Sequence, residues 1–102
     1  MTPEETGAAL DDCRDRIDVI DRRIVMLLNE RARVVEKIGD LKQTMQMRVY
    51  EPKREEAVFA NITAHNGGPL RPEALKRIYE RVIDEMRTLQ RDRMAAKGHE
   101  AK

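Results

Sequence analysis

The feature that most constrains this chain is a run of apolar residues in alternating steps of three and four: Leu10, Cys13, Ile17, Ile20, Ile24, Leu27, Val34, Ile38, Leu41 and Met45, broken only at Arg31. Such a rhythm is a heptad seam, one apolar stripe along an α-helix. Residues 8–45 contain no proline and a single glycine, Gly39, and the positions off the stripe are rich in Arg, Asp, Glu and Lys, as a solvated helical face is. The spacing predicts one long helix over about 8–45. At 1.5 Å per residue it extends about 57 Å, whereas a compact globule of this size has a radius of gyration of about 13 Å. The remainder of a 102-residue chain cannot cover such a stripe. The simplest cover is a second copy, in a two-fold homodimer.

Beyond the seam, Gln46 to Glu51 ends the first helix, and Pro52 suits the first position of a short second one over 52–65. Asn66-Gly67-Gly68-Pro69 then breaks the chain. Pro72 and Glu73 open a third helix over 72–94, whose stripe is Leu75, Tyr79, Val82, Met86 and Leu89. The tail, 95–102, is expected to fray. The fold class is therefore all-α, a single domain over 1–102 with one long, one short and one medium helix in an intertwined homodimer. With two Tyr, one Phe and no Trp, its core must be aliphatic.

Charge and composition exclude several functions. Twenty basic residues stand against 19 acidic ones, so the overall basic bias of a nucleic-acid binder is missing. No run of 18 apolar residues suggests a membrane span, and the start lacks the basic flank and apolar stretch of a signal peptide. The expected location is cytoplasmic. A lone cysteine forms no internal disulfide, and Cys13, His65 and His99 make no metal set. Cys13 falls on the seam and reads as a small buried hydrophobe. No metal or cofactor is expected.

Arg31 is the anomaly, since a guanidinium in an apolar seam costs several kcal/mol if it is buried unpaired. It reads as the partner of an acid on a neighbouring helix, as a register-setting polar residue, or as the holder of an anionic ligand. Lys42, about 16 Å further along the same side, could hold a small ligand with it; alone it reads as a solvated lysine. Arg14 lies about 25 Å from Arg31, too far for one small molecule on a straight helix. If both bind ligand, they serve different sites or the Arg14 of a given site comes from the other subunit. Glu51, Arg54 and Glu55 cluster at the second helix's start, where acids favour the helix dipole by about 0.3–1 kcal/mol. The dipole does not explain Arg54, and Glu51 and Glu55, one turn apart, suit a ligand hydroxyl. Gln90 reads as a surface amide and Met86 as core.

Taken in order, Arg14-x-x-Ile17-x-x-Ile20-Asp21, Leu27-Leu28-x-Glu30-Arg31, Ile38-Gly39-x-x-Lys42, Glu51-Pro52-x-Arg54-Glu55 and Leu89-Gln90 resemble the all-helical, AroQ-class chorismate mutases over roughly residues 10–91. Tyr50 to Glu55 and Asn66 to Pro69 are similar to the subgroup fused to DAHP synthase, a possible partner. The family rearranges chorismate to prephenate in aromatic amino-acid biosynthesis, a Claisen reaction without nucleophile, metal or proton transfer. The resemblance implies that Arg31 and the other subunit's Arg14 clamp the two carboxylates, and that Lys42 and Gln90 approach the ether oxygen. It implies that Glu51 and Glu55 accept the substrate hydroxyl while Arg54 supports a carboxylate. Glu51 replaces the shorter Asp of some members. Met86 stands where several carry a Ser, so one donor to a carboxylate is missing. The rival readings are an isochorismate pyruvate lyase on the same scaffold, a regulatory chorismate- or prephenate-binding module acting on DAHP synthase, and a plain coiled-coil protein.

Overall fold

The computed structural model describes residues 1–100, with side chains through Lys97. It contains three helices, α1 (Pro3–Thr44), α2 (Pro52–Ala64) and α3 (Pro72–Glu100), and no strand among the described residues. None of the helices is long and apolar enough to cross a membrane, among the described residues.

Helix α1 begins five residues before the seam predicts. The backbone N–H of Glu5 donates to Thr2 Oγ1 at 3.1 Å, Pro3 takes the first helical position, and Glu4 and Glu5 lie in the first turn. Thr2-x-x-Glu5 has the sequence of a capping box, a start signal that apolar spacing does not carry. At the other end Gln46 adopts a positive φ of 58°, and Met47 N–H donates to Lys42 O at 2.8 Å while Gln46 N–H donates to Gln43 O at 3.2 Å. This pair of bonds is a Schellman closure. It stops α1 and turns the chain so that Val49 comes back onto Lys42.

Helix α2 starts at Pro52 with Glu51 as its N-cap residue, but the Glu51 side chain makes no capping bond. It is engaged elsewhere, as described below. His65 closes α2 by donating its N–H to Asn61 O and Ile62 O. Asn66 Nδ2 spans the following break to Leu70 O at 2.8 Å.

Helix α3 does not stop at 94. Residues 95–100, expected to fray, continue the helix, while 101 and 102 lie outside the described residues. Ala95 and Ala96 favour helix. A tertiary contact holds this stretch as well, Lys97 Nζ donating to Asp40 at 3.0 Å, and just before it Gln43 Nε2 donates to Met94 O at 3.1 Å and Arg93 Nε to Asp40 at 3.3 Å. The hydrogen bonds from Arg93, then from Lys97, hold the Asp40 carboxyl below its ordinary pKa.

The chain divides into two units, residues 1–33 and the residues from Val34 onward. The first is α1 up to Arg33 alone. All of residues 1–30 are exposed, the seam included, with Ile17 at 55% and Leu27 at 62%. Cys13 is exposed too, on the seam that a second copy is expected to cover. Within its own unit, a lone helix offers nothing to bury it. A contiguous apolar stripe of this kind marks an interaction surface. The second unit packs residues 34–44 of α1 with α2 and α3 around Ile83, which is 8% exposed.

Candidate active site

The second unit buries two polar side chains more deeply than any hydrophobe among the described residues: Lys42 and Gln90, each 6% exposed. Burying an ammonium is costly unless it is paired and fully hydrogen-bonded. Lys42 Nζ donates to Val49 O at 2.8 Å and to Gln90 Oε1 at 3.0 Å, and it lies 3.4 Å from Glu51 Oε2. These partners match the three donors of an ammonium. Gln90 is fixed from both ends, since its Nε2 also donates to Val35 O at 3.2 Å. That leaves its amide one further hydrogen to donate. Expected from sequence as a solvated lysine and a surface amide, the two form the polar heart of the unit.

Gly39, one turn before Lys42, makes the geometry possible. A Cβ there would lie 3.0 Å from Gln90 Cγ and 3.5 Å from Met94 Cγ. Gly39→Ala therefore sets two effects against each other, a gain in helix propensity of about 1 kcal/mol and an overpacking cost of about 1–3 kcal/mol. The melting temperature should therefore fall by no more than about 15 °C. Activity should fall at least several-fold, because the added methyl group pushes Gln90 off its two partners; steady-state kinetics beside a thermal melt separates the two effects.

A second cluster adjoins the first through the Tyr50–Glu51 peptide and the first turn of α2. Arg87 Nη2 lies 2.8 Å from Glu55 Oε1 and 2.6 Å from Oε2, and the guanidinium carbon sits 4.9 Å from the Tyr50 ring centroid. Arg87 Nη1 is also 3.6 Å from Asp84 Oδ1. The hydrogen bonds to Glu55 raise the pKa of Arg87 further against the opposing pull of burial, so its charge is secure. No sequence signal marks Arg87. It lies between stripe positions, and a pairing with a residue 32 positions away leaves no periodic trace.

The other candidates are placed differently. Met86 is half-buried, one turn before Gln90. Arg54 is exposed and makes no hydrogen bond or ion pair with the described residues. Arg14 and Arg31 belong to the first unit. Arg14 is exposed and lies 3.8 Å from Asp11. Arg31 is half-buried and meets no carboxylate among the described residues. No group of three His, Cys, Asp or Glu side chains among those residues could hold a metal ion. A buried ammonium with an amide beside it is suited to an oxygen that gains negative charge as a bond breaks.

A family model described as chorismate mutase type II matches residues 13–91. The bifunctional chorismate mutase/prephenate dehydratase of Neisseria gonorrhoeae is 44% identical over 78 residues, covering 76% of this chain and 21% of that protein. Its counterpart in Aquifex aeolicus is 36% identical over 86 residues, covering 80% of this chain and 24% of that protein. The chain thus spans between a fifth and a quarter of the length of these curated relatives. They are fusions to prephenate dehydratase, where the resemblance had pointed to fusions with DAHP synthase. Among solved structures, form II of the Thermus thermophilus chorismate mutase superposes with a TM-score of 0.80 at 32% identity, covering 81% of this chain and 94% of that one. The Helicobacter pylori chorismate mutase in complex with prephenate also gives 0.80, at 27% identity and with coverage of 86% and 96%. Matched along most of its length by sequence and by fold, the chain belongs to the chorismate mutase type II family.

Proposed function

We propose that this chain catalyses the rearrangement of chorismate to prephenate. The observation that carries the reading is the buried Lys42–Gln90 pair, polar groups held in the interior where a developing charge needs them. The reaction breaks an ether C–O bond and forms a C–C bond within one dianion, so it needs no nucleophile or base. It needs the substrate folded so that the reacting ends meet, and donors aimed at the ether oxygen. Lys42 and the spare amide hydrogen of Gln90 supply those donors. The ether oxygen competes for Lys42 with its longest contact, the one to Glu51. Glu51 and Glu55 accept the ring hydroxyl, Arg54 supports a carboxylate, and Met86 contributes apolar wall.

The two carboxylates fall to Arg31 and to Arg14 of the partner subunit in a homodimer. The exposed stripe of residues 10–27 supports the dimer, and the lack of an acid at Arg31 among the described residues supports an anionic ligand there. The proposed location is cytoplasmic. An association with DAHP synthase rests only on the resemblance of Tyr50–Glu55 and Asn66–Pro69, and its test is copurification of the two proteins. The catalytic reading is tested by offering chorismate and isochorismate separately. Prephenate should form from the first at the higher kcat/KM; pyruvate released from the second at the higher efficiency would overturn the assignment in favour of a lyase.

A further inference from the structure

We propose that Arg87 is a positioning residue for the hydroxyl end of the substrate, holding the Glu55 carboxylate in the orientation that accepts the ring hydroxyl. The inference rests on the mutase reading and extends it to a residue that no motif of the chain marks.

Three observations carry it. One nitrogen, Nη2, bridges both oxygens of Glu55, so the carboxylate is held in place while lone pairs on each oxygen stay open to another donor. The guanidinium is backed by the Tyr50 ring, the residue next to Glu51, which ties the two hydroxyl acceptors to one support. Finally, Arg87 Nε is buried and takes no hydrogen-bond partner among the described residues. A buried N–H left without an acceptor is destabilising, and native structures keep few of them. Arg87 bears that cost in a place set by Glu55 and Tyr50.

The test compares chorismate with its analogue lacking the ring hydroxyl, in wild type, Arg87→Met and Arg87→Lys. Wild type should favour chorismate by about ten- to a hundredfold in kcat/KM, the worth of a hydrogen bond to a charged acceptor. In Arg87→Met that preference should shrink to within about threefold, through loss on chorismate with little change on the analogue. Arg87→Lys keeps a charged donor and should recover part of the preference. A merely structural role would lower both substrates alike, and that result, or an unchanged preference in a folded Arg87→Met, overturns the proposal. Should Arg87→Met lose its helical circular dichroism, Arg87→Lys decides: an intermediate preference supports the proposal and an unchanged one overturns it. Wild-type turnover of neither substrate would instead sink the mutase reading itself.

Discussion

Lys42→Ala is expected to lower kcat for chorismate by about 10²–10³-fold, the usual cost of removing one preorganised donor from a developing oxyanion. Lys42 is the one cation among the candidate residues of the second unit that is both buried and hydrogen-bonded to a second donor-bearing side chain. Its loss acts twice. It removes the charge, and it leaves Gln90 Oε1 without its donor, so the amide is held only through Val35 O. Lys42→Ala combined with Gln90→Ala should therefore be little worse than Lys42→Ala alone, the non-additivity of residues that work as a pair. Stability should fall less than activity. Glu51, 35% exposed, stays solvated when its partner goes, so the expected loss is about 1–3 kcal/mol for the orphaned carbonyl groups. Lys42→Arg should not rescue, because a planar fork cannot reproduce the three directions of an ammonium in the same space. Steady-state kinetics and thermal melts of the three variants check these expectations.

Arg14→Ala and Arg31→Ala should each be nearly inactive as homodimers and should complement one another when mixed. In a hybrid dimer, the chain that keeps Arg31 faces the chain that keeps Arg14, which makes one complete site; the other site lacks both. Random subunit exchange makes about half of the dimers hybrids, so activity should recover to about a quarter of wild type. The expectation follows from the positions of the two arginines on a helix whose apolar stripe has no cover, with Arg14 meeting only Asp11 and Arg31 meeting no acid among the described residues. Native mass spectrometry of differently tagged chains confirms that hybrids form. Hybrids without recovery would mean that each site draws both arginines from one chain.

Much of the architecture was legible because it is local. The three-four rhythm marked α1 and α3, and prolines at 52 and 72 marked two helix starts. What rhythm does not encode was missed: the Thr2–Glu5 start and the continuation of α3 past 94, which Asp40 and Gln43 hold from α1. The site divides along the same line. Lys42 and Gln90 were singled out by resemblance, whereas their default readings as surface residues failed. Their burial arises from a contact across 48 positions, made possible by a missing side chain at Gly39. Arg87 has the same long-range origin and no motif to mark it.

The measurement that bears on the central claim is the rate of chorismate disappearance in purified protein, followed with product identification. Prephenate should accumulate in proportion to enzyme concentration, at a rate far above the uncatalysed one, with Lys42→Ala near background. Wild-type and background decay curves that coincide would contradict the assignment of this buried pair to catalysis.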